Sequence, residues 1–443
     1  MKIPERAPEQ LTIDNAFFGL LAKSSQNEEF LSVSERIQRE YLPWEKIKYL
    51  KVPEGLSNKD VWAITKFNRH AGSQIVFFGR YQFRYSITPS IQMALHEFDM
   101  QYGGRLGTSN PLQQTDRQQY LISSIMEEAI ASSQIEGAVT TRVFAKEMLR
   151  RNQTPKNKSE RMIINNFKTI QFIRETIQQT LTAERLIEVQ KSMTNKTLGN
   201  PEDEGRFRDN DEVRVIDVID GELMHQPPPA AILSDLITAL CNFFNREDEK
   251  SFVHPIVKAS IIHFMIGYIH PFVDGNGRTA RALFYWYLLK RGYWLTEYLS
   301  ISSIILKTRV QYANAFLYTE TDENDLTYFI HYKVKTLKLA YASLQAYIQR
   351  KVQEKKTASQ FLTIGGINER QAQVLQDLID EPEKILSVTE LETKFNVSNQ
   401  TARNDLRGLE RLGLLRSSMI NKKKRVFSKS VNFDRELESL KKR

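Results

Sequence analysis

The chain has 443 residues, too many for one ordinary domain, and 41% of them are hydrophobic and 26% charged, the balance of a globular protein. One cysteine, Cys241, excludes an intrachain disulfide and any cysteine metal cluster, and a count of 19 glycines and 14 prolines excludes a collagen-like or Pro/Gly-rich disordered chain. The net charge is +9, and from Lys351 onward 19 Lys and Arg stand against 13 Asp and Glu, so six of the nine charges fall in the last fifth. A basic end suits nucleic acid, although a solvated surface accounts for the charge equally well. The opening MKIPERAPEQ has no apolar stretch, and no run approaches a membrane span. The expectation is a cytoplasmic protein without a membrane partner.

Residues 1–115 mix patterns: SQIVFFGRYQFRYSI reads partly as strand, and Gly103-Gly104 with Thr108 to Pro111 mark a loop. From Asp116 the apolar residues Tyr120, Ile122, Ile125, Met126 and Ile130 recur at helical spacing, predicting a helix that ends near Gly137. A second helical block covers about 140–197. A polar stretch follows, then two short runs joined around Asp220-Gly221, which predict a β-hairpin over 213–226 closed off by Pro227 to Pro229. Residues 230–348 are helix-periodic, and the charged KVQEKKTAS (351–359) reads as a linker. Three more helical runs and a basic hairpin complete the chain. The expected fold is mainly α, divided as 1–115, 116–345, a linker 346–366, and 367–443.

The stretch IHPFVDGNGRTAR carries the most chemistry. Pro271 keeps His270 out of the α-helical region, so His270 sits on a loop before a new helix. Gly275, Asn276 and Gly277 can present successive N–H groups to an anion, and the positive end of the following helix points at the same place. Arg278 and Arg281 share one helical face and add donors for phosphate oxygens. Asp274, at the lip, would repel phosphate unless it held Mg2+. His270 can take a proton near neutral pH. GNGRTA also fits a dinucleotide-binding pattern, with Glu297 about 20 residues on. No strand precedes it and no chain of βαβ units surrounds it, so that reading fails; no P-loop motif occurs either.

His270 to Arg281 resembles the signature of the Fic family, His-x-Phe-x-(Asp/Glu)-Gly-Asn-Gly-Arg-x-x-Arg, at every fixed position. The resemblance extends over about 116–345 and implies a helical core with the 213–226 hairpin as a flap. It implies an adenylyltransferase that moves AMP from ATP to a Ser, Thr or Tyr hydroxyl of a target protein. In that reading His270 is the general base. Asp274, through Mg2+, and Gly275, Asn276 and Gly277 hold the α- and β-phosphates, while Arg278 and Arg281 meet the β/γ end. Tyr285 and Tyr312 are the candidates for the adenine.

SSQIEG resembles the family's inhibitory motif, (Ser/Thr)-x-x-x-Glu-(Gly/Asn), with Ser132, Glu136 and Gly137 matching. The implied role is for Glu136 to pair with Arg281 and misalign ATP. In some relatives this glutamate also serves removal of AMP, so the net direction is open, as are the target protein and the oligomeric state, with a homodimer among the expectations.

The end of the chain resembles a winged helix-turn-helix. Asn396-Val397-Ser398 would be the turn, and RSSMINKKKRVFSKS a two-stranded wing. Gln400, Thr401, Arg403, Asn404 and Arg407 would face a DNA major groove, and Lys422, Lys423, Lys424 and Arg425 would approach phosphates. The rival for the whole chain is a DNA-binding regulator whose Fic core acts as a nucleotide-responsive or self-modifying switch.

Overall fold

The computed structural model describes residues 3–8, 13–100, 114–217, 220–246, 252–362, 366–395, 397–420 and 424–441. It is mainly helical and separates into two compact units, Met1–Ala342 and Ser343–Arg443. The loop expected around Gly103-Gly104 and Thr108 to Pro111 lies outside the described residues, as do Asn396, Lys422 and Lys423.

The first unit begins with α1 (Asn15–Ser25), α2 (Glu28–Glu40), α3 (Trp44–Ile47) and α4 (Asn58–Ala71). Their starts are written in the sequence: Asp14 and Asn27 cap α1 and α2, and Ser57 with Asp60 forms a capping box on α4. Phe17, Phe30, Ile37, Trp44, Ile47, Val61, Trp62 and Ile64 close a small core among them. The aromatic stretch that followed is an antiparallel hairpin, β1 (Gln74–Phe78) and β2 (Tyr81–Tyr85), turning at Gly79 with φ +55°. Phe78 and Phe83 are fully buried, and they meet Phe243, Phe264 and Tyr268 of the helices that carry the site. The hairpin thus braces the site from outside. Thr88 and Pro89 start α5 (Pro89–Phe98).

The remaining helices of this unit are α6 (Gln114–Ile135), α7 (Arg142–Arg150), α8 (Lys158–Glu175), α9 (Ala183–Thr194), α10 (Leu233–Asn245), α11 (Pro255–Ile269), α12 (Asn276–Lys290), α13 (Ile301–Lys307) and α14 (Arg309–Thr321). Nearly every residue of α11 and α12 is buried; α11 is apolar on all sides, as a central helix is expected to be, whereas α12 buries Asn276, Arg278, Thr279 and Arg281 in its first turns. α12 touches α6, α8, α9 and α11, so its first turn lies at the centre of the bundle. The expected hairpin is reduced to β3 (Val215–Ile216) and β4 (Leu223–His225), with an irregular register, Val215 opposite His225 and Ile216 opposite Leu223. Gly221 at φ +71° and the bond from its N–H to the Asp217 carbonyl shape the turn.

The stretch 351–359, a linker by composition, continues the helix α15 (Thr327–Leu362). Lys, Glu, Gln and Ala are strong helix formers, and no Gly or Pro interrupts them before Gly365. Charge alone does not make a linker.

The second unit contains α16 (Glu369–Asp380), β5 (Leu386–Ser387), α17 (Val388–Phe395), α18 (Asn399–Arg411), β6 (Leu415–Ile420), β7 (Lys424–Lys429) and α19 (Phe433–Lys441). β5, β7 and β6 form an antiparallel sheet in that order. Ala372, Leu375, Leu391, Leu406, Phe427 and Phe433 belong to its core. The three helices and the basic hairpin match expectation; the short third strand and α19 were not foreseen. Among the described residues no helix is long and apolar enough to cross a membrane.

Candidate active site

His270 ends α11 in the left-handed region, φ 47° and ψ 59°. Its Nδ1 lies 3.1 Å from the carbonyl oxygen of Gly267. That contact assigns the proton to Nδ1 and leaves Nε2 as an acceptor. Burial lowers the proton affinity of His270, and the Gly267 carbonyl only partly opposes it. The imidazole is therefore neutral at pH 7, with its basic nitrogen free of the backbone.

The loop from Pro271 to Gly275 is closed by Asn276. Its Nδ2 donates to the Phe272 carbonyl at 2.8 Å, and its Oδ1 accepts from the Phe272 N–H at 3.0 Å. Gly275 precedes α12 at φ +90°, and an added Cβ would sit 2.9 Å from Thr194 Cγ2, so both conformation and space require glycine. The first intrahelical bond of α12 runs from Thr279 N to Gly275 O at 2.9 Å. The N–H groups of Asn276, Gly277 and Arg278 come before it, at the positive end of the helix.

Arg278 is buried. It donates from Nη1 to the Met193 carbonyl at 3.1 Å and from Nη2 to Asp274 Oδ1 at 3.2 Å. Three residues further along the helix, Arg281 donates from Nε to Ser132 Oγ at 2.8 Å and from Nη2 to the Ser132 carbonyl at 3.0 Å. Its Nη2 also meets Glu136 Oε1 at 2.8 Å. Arg278 Nε and Arg281 Nη1 are buried and make no hydrogen bond within the protein.

Glu136 follows α6, with Gly137 behind it at φ +91°. Its carboxylate does more than face Arg281. An added Cβ on Gly277 would lie 2.2 Å from Glu136 Oε1 and 3.2 Å from Arg281 Nη1. The carboxylate therefore rests against the first turn of α12, where the helix end and the arginine both attract an anion. It is a side-chain anion in a position suited to a phosphate.

Three further residues build the site; of these only Arg208 was marked in the sequence, through GRFR (205–208), a stretch that agrees with the family resemblance. Arg208, in the stretch GRFR, donates to the carbonyls of His270 at 3.0 Å and Asn210 at 2.9 Å, and to that of Pro228. It ties the flap's base to the His270 loop. Gln190 on α9 donates to the Asp274 carbonyl at 3.1 Å and accepts from the Gly205 N–H at 2.8 Å. Lys333 on α15, fully buried, lies 3.3 Å from His263 Nδ1 and 3.7 Å from the Phe284 ring centre. Burial pulls its proton affinity down to about 7. The signal for the first was the isolated GRFR; the other two had none.

The two tyrosines lie differently. Tyr285 is buried, and its hydroxyl donates to the Leu299 carbonyl and accepts from the Ile301 N–H, each at 2.8 Å. Tyr312 places its hydroxyl 2.8 Å from His263 Nε2. Both hydroxyls are engaged by the protein.

Among the described residues no three His, Cys, Asp or Glu side chains converge as a metal site. Asp274 is a lone carboxylate with 42% of its side chain exposed. That fits Mg2+ held by one carboxylate together with substrate phosphates, and no all-protein cage.

Residues 180–288 match the Fic/DOC family model. This chain carries a Fic domain. The match covers the flap, α11, the His270 loop and nearly all of α12. "Protein adenylyltransferase Fic" of Drosophila virilis is 41% identical over 69 residues, which are 16% of this chain and 14% of that protein. The protein of the same name from Nematostella vectensis is 32% identical over 115 residues, 26% of this chain and 24% of that one. These matches thus span less than a quarter of the length of those relatives. The fold of Fic-1 from C. elegans aligns with a TM-score of 0.50 at 17% identity, over 77% of this chain and 98% of that one. Outside the Fic domain, residues 370–425 match an HTH domain model.

Within that second domain, Gln400, Arg403, Asn404 and Arg407 are exposed along α18, whereas Thr401 is half-buried against its cap Ser398. Gln400 bonds Asn404 at 3.0 Å, and Arg403 reaches Asn399 at 3.4 Å. Arg425 is exposed on β7, which Lys424 begins.

Proposed function

We propose that this chain is a protein adenylyltransferase held in check by its own Glu136. The observation that carries the reading is the neutral imidazole of His270, its Nε2 unengaged, beside a helix N-terminus and the pair of buried arginines. That arrangement suits removal of a proton from a hydroxyl next to a bound triphosphate.

In the proposed reaction His270 Nε2 takes the proton of a Ser, Thr or Tyr hydroxyl on the target. The hydroxyl oxygen bonds to the α-phosphorus of ATP as the bond from that phosphorus to the bridging oxygen breaks. Pyrophosphate leaves, and the target carries AMP. The N–H groups at the start of α12 and Arg278 hold phosphate oxygens, with Arg281 toward the γ end. Mg2+ on Asp274 would neutralise phosphate charge when bound. β3 and β4 align the target segment beside the base by strand addition.

Glu136 restrains the reaction by occupying Arg281 and the first turn of α12. The geometry of that contact, 2.8 Å to Nη2 with the carboxylate against Gly277, supports competition with the γ-phosphate. ATP then binds with its α-phosphorus turned from the line of attack.

The exposed polar row on α18 favours a second element, duplex DNA binding by the winged unit. It is compatible with an active enzyme. It also supports the rival in which the Fic domain serves a regulator.

Intact-mass measurement of the purified Glu136→Gln chain with ATP and Mg2+ tests the main reading. A gain of one AMP, absent in the double variant with His270→Ala, is the expected result. No gain on this chain or on any protein of a matching lysate would overturn it.

A further inference from the structure

His225, the last residue of β4, points both ring nitrogens at acceptors. Nδ1 lies 2.6 Å from Glu320 Oε2 on α14, and Nε2 lies 2.8 Å from the carbonyl oxygen of Tyr268 on α11. A carboxylate and a carbonyl only accept, so each nitrogen must carry a proton and the ring is an imidazolium. The carbonyl it holds is two residues before His270. We infer that His225 is a positioning residue, a charged latch that fastens the outgoing strand of the flap to the end of α11 and so sets the flap at a fixed distance from the base. The inference rests on the reading of His270 as base and of the hairpin as the target's guide.

The surroundings support a charge here. Glu320 favours it from α14. Tyr268 stacks its ring 5.2 Å from the imidazole, with Tyr81 and Arg80 of the β1–β2 hairpin beyond it. Arg208 is the neighbouring charged group that opposes it. Burial is the largest single influence and also opposes the charge, but the Glu320 carboxylate and the Tyr268 carbonyl together outweigh it and Arg208, and the proton affinity of His225 is raised above its ordinary value of 6.5. The sign follows. A group raised in the folded state stabilises below its unfolded value and loses that contribution as pH climbs through the folded one. The latch holds below the folded value, which lies above 6.5, and lets go as pH climbs through it. The charge also bears on His270, whose proton affinity it helps to keep low.

β3 and β4 give the flap only a short, irregular ladder, and the His225 bonds add a tie from its outgoing strand to α11 and α14. A bond to a charged group in a half-buried site is worth a factor of about ten or more in an opening equilibrium. The test is amide hydrogen exchange of the full-length chain, read for the flap peptide over 213–226 from about pH 6 to about pH 9 and corrected for intrinsic exchange. Wild type should lose flap protection at the alkaline end. His225→Phe should lack it throughout, and Glu320→Gln should lose it at lower pH than wild type. In the Glu136→Gln background, the alkaline limb of AMP transfer should move down with Glu320→Gln, a shift that a merely structural contact would not give. If His225→Phe does not fold, Glu320→Gln decides alone. Flap protection that ignores pH and both substitutions overturns the latch, whether or not AMP is transferred. Flap protection that follows the pattern without any AMP transfer keeps the latch and removes the adenylyltransferase reading.

Discussion

Arg278 and Arg281 are 1% and 2% exposed, and the protein atoms they touch fix where they point. Arg403 and Arg407, in the winged unit, stand in solvent on α18, and Arg403 reaches only a neighbouring Asn399 at 3.4 Å. The same residue type does different work in the two places. Burying a guanidinium is unfavourable unless its donors are met, so a buried arginine announces a purpose that its partners spell out. An exposed arginine carries no such constraint. A partner made of phosphate, an acidic protein or water alone leaves the same geometry on α18. The Fic loop can be read for chemistry from its structure; the winged face can be read only for opportunity.

The comparison breaks first at His270. In the Glu136→Gln background, His270→Ala should lower AMP transfer by about 10²–10⁴-fold while nucleotide binding persists, since that binding belongs to α12 and the arginines. Labelled-ATP transfer beside equilibrium binding separates the two; unchanged transfer would remove His270 from the chemistry. Next, Glu136→Gln alone should raise transfer by roughly 10–100-fold over wild type, the worth of one shielded charge-assisted pair. The rise should appear mostly in kcat, and a variant no faster than wild type would end the brake.

Stability gives a third contrast. Asn276→Ala removes two buried bonds across the loop and should cost about 1–3 kcal/mol, whereas Gln400→Ala should stay within about 0.5 kcal/mol. Urea unfolding measures both, and equal losses would contradict the buried-versus-exposed distinction. Fourth, Arg425→Ala, in the exposed basic hairpin, should reduce the salt slope of duplex DNA binding by about one and weaken it uniformly across sequences. Fluorescence anisotropy over a salt series reads this; binding to no duplex at low salt assigns the face to a protein. The smallest effect concerns pH. His270 must be neutral to act, and burial lowers its proton affinity, so the acid limb of transfer should lie below the ordinary 6.5. A limb above 6.5 would show that the base is solvated during turnover.

Much of the site was legible because it is contiguous. Pro271 forced His270 out of the helix, and Gly275 took the left-handed turn that only glycine accepts there. Those are local rules, and local rules survive folding. The pairing of Glu136 with Arg281 was different: 145 residues separate them, and nothing in the spacing joins them. It came from the family resemblance alone. Asn276, expected as a phosphate ligand, spends its side chain bracing Phe272, a role that depends on how the loop closes. Lys333 and His263 found each other across α11 and α15, and no periodicity distinguishes a buried lysine from a solvated one. In the winged unit the helices were clear from caps and apolar spacing; α19 was missed although Phe433, Leu437 and Leu440 stand at helical spacing and pack into the core that holds Phe427.

Gly277 has a further meaning for how this chain can change. Any side chain there would strike the tip of Glu136, which is a flexible end and can yield. A change to alanine would thus push the Glu136 carboxylate aside without altering residue 136, and in the same stroke thicken the floor on which phosphate is proposed to rest. Release and damage arrive in one mutation. Loss of Glu136 itself has no such penalty. A screen for unrestrained variants should therefore return many codons at 136 and very few at 277, although both positions face the same contact. The proposed brake would be easy to lose from one side only, and a lineage that kept it would have to guard that side by selection rather than by sterics.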